Sequence, residues 1–170
     1  MNSEPRLEYR KEQPYIAIRT KVSMAEIPVA LPPLIPEVLT WLSHRAADPA
    51  GAPFFRYLDM DSEHRLLVEV GVPVASALPE DDRIVTGIFP AGRYLVQTHT
   101  GPYDGLRAAW AALEDWKQVR GIQEASTEGE NGVRWGTRTE FYLTDPVKEM
   151  DPAKWRTDLV LLVRGDADAS

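Results

Sequence analysis

The segment "GTRTEFYLTDP", Gly136 to Pro146, sets a carboxylate beside a phenol and a guanidinium. With the two-residue period of a strand, Thr137, Thr139, Phe141 and Leu143 share one face, and Arg138, Glu140 and Tyr142 share the other. If the Phe141 face is core, two roles are open to Glu140. It can pair with Arg138 in water, a contact worth only ~0 to 1 kcal/mol. Alternatively it lines a cleft, where a partly desolvated carboxylate attracts a lipophilic cation or holds a water for attack. Glu69, in "LLVEVGV", is a rival acid on the same logic. Its strand, however, sets it beside Arg65 and Leu67 on a face expected to meet solvent.

Aromatic residues supply the other half of such chemistry. Trp41, Trp110, Trp116, Trp135 and Trp155, with Tyr57, Tyr94, Tyr103 and Tyr142, make a large set for a chain that is 9% aromatic. Trp110 stands at helical spacing with Leu106 and Leu113, which favours a core role. Trp135 and Trp155 flank strands and suit core or pocket equally. The histidines His44, His64 and His99 fall on a helix end, a turn and a strand, with no metal-ligand spacing among them. No metal is expected and no cofactor. There is no G-x-S-x-G elbow, no phosphate loop, no G-x-G-x-x-G and no H-E-x-x-H.

The elements that must position these residues follow from periodicity and punctuation. "QPYIAIRTKV" predicts a strand from about Pro14 to Val22, and the proline-rich entry after it predicts a helix from Pro33 to Ala47, with Leu34, Val38, Leu39 and Leu42 inward. Two strand-like runs around "DMDSE" make a hairpin. "IVTGIFPAGRYLVQTHTG" predicts another strand pair. The clearest helix runs through "PYDGLRAAWAALEDWKQVRG", with Leu106, Trp110, Leu113 and either Trp116 or Lys117 inward and Gly121 as its stop. "IQEASTEGENG" reads as a loop, then come the Glu140 strand and a last strand, "TDLVLLVR". "GDADAS" reads as a frayed tail.

Two halves thus share one order: strand, helix, strand, strand. "PYIAIRT" echoes "GRYLVQT" and "RYLDMD" echoes "FYLTDP". The expected fold is α+β, a pseudo-two-fold duplication of the strand-helix-strand-strand unit. It forms an antiparallel sheet with two helices on one face and a ligand cleft between the halves on the other. The chain is expected to be one domain over 1–170, with halves at about 6–75 and 84–164.

Composition bounds the function. The 170 residues are 44% hydrophobic and 26% charged, with formal net charge -7, which disfavours direct nucleic-acid binding and favours cationic ligands. Zero cysteines exclude thiolate chemistry, disulfides and cysteine-ligated zinc. No apolar leader and no run of ~20 apolar residues is present, so the expected location is the cytoplasm, with no membrane partner. Oligomeric state has no signal in the residues.

The run "FPAGRYLVQTHTGPYDGLRAAWAALEDW", then "TEFYLTDP", then "WRTDLVLLV", resembles the GyrI-like small-molecule-binding family, related to effector-binding domains of AraC-type and MerR-type multidrug regulators. G-x-Y followed by H-x-G-P-Y, from Gly92 to Tyr103, and E-x-Y-x-x-D-P, from Glu140 to Pro146, carry the likeness, which spans about Leu7 to Arg164. The resemblance implies that Glu140 is the acidic pocket residue, with Tyr142 on its face, Trp155 over the ligand, and Trp110 and Trp135 as further wall candidates. No helix-turn-helix is expected with this domain, so a free-standing role is implied. Such members bind and sequester drugs, modulate DNA gyrase, or hydrolyse cyclopropane-bearing DNA alkylators. In the last case Glu140 would act as general base, and Tyr142 or Tyr103 would stabilise the leaving oxygen.

Overall fold

Alternating β-branched and aromatic residues build most of the molecule, and a computed structural model describes residues 1–165. The strands are β1 (Arg6–Arg10), β2 (Gln13–Ser23), β3 (Phe54–Met60), β4 (Arg65–Pro73), β5 (Val85–Phe89), β6 (Gly92–Thr100), β7 (Ser126–Gly129), β8 (Gly132–Tyr142) and β9 (Arg156–Leu162). They pair antiparallel in the order β1-β6-β9-β8-β3-β4-β2-β5, with β7 on β8. β3 and β8 meet at the centre, where Phe55 faces Glu140 and Tyr57 faces Arg138. Outward from that seam lie β4 and then β2 on one side, and β9 and then β6 on the other. β1 pairs with β6 where no strand is expected from sequence, and β7 pairs with β8 where a loop is expected. The expected frayed tail lies, past Gly165, outside the described residues.

Three helices, α1 (Ile27–Ala30), α2 (Leu34–Ser43) and α3 (Leu106–Val119), lie on one face. α2 buries Val38 and Leu42 against Ile16, Ile18, Val72 and Val74. Its inward stripe runs Leu34–Val38–Leu42 at four-residue steps, so Leu39, expected inward, turns out to be 38% exposed. The helix ends at Ser43, short of the predicted Ala47, because Ala46 takes φ 52 and the Ala47 N–H turns back to the Leu42 carbonyl at 3.1 Å; a separate short turn, α1, precedes the prolines at 32 and 33. α3 buries Leu106, Ala109 and Leu113 on Leu95, Leu159 and Leu161, and Lys117 takes the fourth inward position. Gly121 ends α3 with φ +66, which lets the Ile122 N–H donate to the Lys117 carbonyl at 3.1 Å.

The other face is concave. Phe89 of β5 and Phe141 of β8 are separated by three intervening strands, on the order of 19 Å in a flat sheet. Their ring centroids are 5.4 Å apart. The sheet therefore curls around a second apolar core of Tyr15, Phe54, Phe89 and Phe141, whose rings meet edge-on or tilted. Both faces of β8 are thus covered around Thr139 and Glu140. Among the described residues no helix is long and apolar enough to cross a membrane.

Candidate ligand-binding site

Glu140 projects from β8 onto the helix-bearing face, not the face opposite the helices, where the cleft was expected. It sits where the core under α1 and α2 meets the core under α3, and Tyr142 packs against both. Only 6% of Glu140 is exposed. Tyr57 Oη and Tyr142 Oη donate to its Oε1 at 3.0 and 2.7 Å, and the Trp110 indole N–H donates to its Oε2 at 2.7 Å. Burial, and then the negative charge beside them, hold both phenols well above the ordinary tyrosine range. They remain neutral donors at any physiological pH.

Aromatic rings roof this carboxylate. Tyr103 stacks on Trp155 with centroids 4.7 Å apart, and meets the edge of Tyr142 at 5.5 Å. Phe55 meets Tyr142 at 4.9 Å. The Trp155 indole is oriented by its bond to the Glu149 carbonyl at 2.7 Å. Tyr103 is 36% exposed and marks the solvent side of the cluster. Ile27 and Ala30, from the short α1 segment, pack on the same core as Tyr57 and Tyr142.

Charge separates Glu140 from the other buried acids. Glu69 bonds Arg19 at 2.8 Å and accepts from Tyr15, which corrects its expected placement on a solvent face. It is 1% exposed, because the curl of the sheet covers its side of β4. Glu124 pairs with Arg138 at 2.6 Å and Lys117 at 3.3 Å. Asp158 lies 4.0 Å from Arg6 and accepts from Thr98. Among the described residues no basic side chain forms an ion pair with Glu140. The alternative role, a solvated pair with Arg138, is overturned, since Arg138 spends its guanidinium on Glu124 and Glu114.

Residues 3–164 match the pattern described as the GyrI-like small molecule binding domain. The chain belongs to that family. Among solved structures, the EcmrR–DNA complex superposes with TM-score 0.70 at 20% identity, covering 95% of this chain and 57% of that one, so the chain spans little more than half the length of that relative. SAV2435 bound to tetraphenylphosphonium gives 0.62 at 10% identity, covering 96% and 95% of the two chains. A hydrolase from Listeria innocua gives 0.57 at 14%, covering 94% and 91%. At these identities the likeness establishes the fold. No curated protein matches the chain in sequence.

Of the residues singled out from sequence in this GyrI-like domain, Glu140, Tyr142 and Trp110 come into direct contact, and Tyr103 and Trp155 join them through Tyr142. Trp135 does not reach Glu140. It packs with the core under α1 and α2, and its ring lies 5.1 Å from the Arg138 guanidinium carbon. Tyr57 was given no role from sequence. The echo of "RYLDMD" in "FYLTDP" held the signal, since it aligns Tyr57 with Tyr142, and both phenols reach the same carboxylate oxygen.

A cleft of about 440 Å³ opens on the concave face, lined by Arg10, Gln13, Phe89, Tyr94, Phe141 and Asp158 among others. It does not include Glu140. Of its two acids, Glu12 is exposed and Asp158 is already served by Thr98 and Arg6. Among the described residues no group of three or more His, Asp and Glu is placed to hold a metal ion.

Proposed function

We propose that this domain binds lipophilic cations at Glu140, with Tyr57, Tyr142 and Trp110 as polar holds and Tyr103 and Trp155 as the outer aromatic wall. One observation carries the reading: Glu140 is a buried carboxylate whose partners are all neutral donors. A buried charge without a counter-ion is costly, and neutral hydrogen bonds offset only part of that. A cation entering the aromatic enclosure would supply the missing charge, and the ring faces would add cation–π attraction of about 0.5 to 2 kcal/mol each. Entry requires that Tyr103 and Trp155, or the α1 segment, move aside, because the cluster is packed on itself. That SAV2435, of the same fold, is found with tetraphenylphosphonium supports testing this ligand first.

Hydrolysis of a strained, cyclopropane-bearing alkylator is a second reading, favoured by the two phenols on Glu140 Oε1. Water would attack the ring carbon while Glu140 takes its proton. Tyr142 or Tyr57 would donate a hydrogen bond to the oxygen that gains charge as the ring bond breaks, and the proton taken up by Glu140 would pass to that oxygen. Tyr103 is the less suited donor, since it meets Tyr142 by its ring.

Incubation with excess alkylator, followed by mass spectrometry, separates the readings. More product than protein, lost in Glu140→Gln, establishes the hydrolase. Retention without product leaves the binder. A modulator of DNA gyrase would be indifferent to Glu140.

A further inference from the structure

Arg138 and Glu140 point from the same face of β8 and lie about 7 Å apart along the strand, within reach of an arginine side chain. An ion pair between them would neutralise the pocket. The structure shows what prevents it. Arg138 Nε and Nη2 donate to the two oxygens of Glu124 at 3.1 and 2.6 Å, a two-pronged contact, and Nη2 also reaches Glu114 at 3.4 Å. Glu124 is itself 8% exposed, and its backbone is fixed by a bridge to Val163 just after β9. Lys117 bonds both Glu114 and Glu124, at 2.9 and 3.3 Å, so two acids and two bases close a self-compensated group.

Trp110 stands between this group and the pocket. Its ring lies 5.0 Å from the Arg138 guanidinium carbon, while its N–H serves Glu140. Trp135 lies 5.1 Å from the same carbon. The guanidinium is therefore held by carboxylates in line and by two indoles at its sides.

Building on the binding reading above, we propose that Glu124 is a positioning residue for charge specificity: by clamping Arg138 it keeps Glu140 unneutralised and available to a cationic ligand. An ordinary structural salt bridge between the α3–β7 connection and β8 would affect folding alone. The clamp predicts a change in ligand charge preference at a site Glu124 does not touch.

The test compares binding of tetraphenylphosphonium and of neutral triphenylphosphine oxide by calorimetry, in wild type, Glu124→Gln, Glu124→Gln/Arg138→Gln and Glu124→Gln/Lys117→Met. Thermal unfolding checks that each is folded. In Glu124→Gln the freed Arg138 pairs with Glu140, so cation affinity falls roughly tenfold or more, about the worth of one charge-assisted contact, and neutral affinity stays unchanged. Removing Arg138 restores it. Removing Lys117, which corrects the net charge equally, does not. Should Glu124→Gln fail to fold, the same comparison is made with Glu124→Asp, whose shorter carboxylate loosens the clamp and gives a smaller loss of the same kind.

Equal binding in Glu124→Gln and wild type, equal loss of both ligands, or rescue by Lys117→Met as complete as by Arg138→Gln would each overturn the assignment while leaving the pocket reading intact. A wild type that shows no preference for the cation removes the pocket reading, and the assignment falls with it.

Discussion

Arg138 and Glu140 occupy one face of the same strand, two residues apart, and bond to different partners. The guanidinium goes to Glu124 and Glu114, and the carboxylate goes to two phenols and an indole. A pair that a sequence reading would join across open water is kept apart by the α3 side of the fold. The consequence is an acid that is buried, hydrogen-bonded and electrically unanswered.

Replacing Trp110 by Phe keeps most of the ring volume and deletes the donor at 2.7 Å. A hydrogen bond to a charged group contributes about 1.5 to 3 kcal/mol, and that loss of stability is expected in urea unfolding. With one fewer donor on Oε2, the carboxylate depends more on an incoming cation. Calorimetry of Trp110→Phe should therefore show a larger ratio of tetraphenylphosphonium to neutral-ligand affinity than wild type. A smaller ratio would mean that the indole serves the ligand and not the acid.

Alkaline pH should destabilise the domain through Tyr57 and Tyr142. Both phenols are held above their ordinary 10.0 by burial first and by the Glu140 charge second. A group whose pKa is higher in the folded than in the unfolded chain adds stability below the unfolded value, and that stability is lost as pH rises toward the folded one. Stability should fall from about pH 10 upward. Near-ultraviolet tyrosinate absorbance should show that Tyr57 and Tyr142, together with the buried Tyr15 of the other face, ionise only on unfolding. In Glu140→Gln the effect should shrink without vanishing, because burial remains. Two such tyrosines titrating normally in the folded protein would contradict the packing.

Tyr15 lies on the concave face, where its hydroxyl accepts from Arg56 at 2.8 Å and donates to Glu69. Its ring lies over Gly87, where an added Cβ would overlap the ring, so even alanine would displace it. Tyr15→Phe leaves two buried charged groups short of a partner and should cost about 1 to 3 kcal/mol in chemical unfolding. Tetraphenylphosphonium affinity should be unchanged, since the sheet separates this network from Glu140. Parallel loss of both would mean that the two faces are coupled.

Much of this was legible in the residues. The alternation in "LLVEVGVPV", the stripe of Leu106, Trp110 and Leu113, and Gly121 as a stop each report a local rule, and the structure follows them. The strands β1 and β7 were missed because polar edge segments carry little periodicity, and only pairing defines them. Leu39 was misplaced because helix rotation is set by the sheet beneath it. The buried state of Glu69 and the separation of Arg138 from Glu140 depend on sheet curl and on Glu124, distant in sequence, which no local pattern encodes. The same holds for Tyr57, whose role comes from pairing β3 with β8 across the centre of the sheet.

The most direct measurement is calorimetric titration of wild type and Glu140→Gln with tetraphenylphosphonium and with neutral triphenylphosphine oxide. The account predicts that wild type prefers the cation and that Glu140→Gln loses this preference, by roughly tenfold or more, about one charge-assisted contact, while binding the neutral compound as before. Equal affinity of both proteins for the cation would contradict it, because the buried carboxylate would then have no part in holding positive charge.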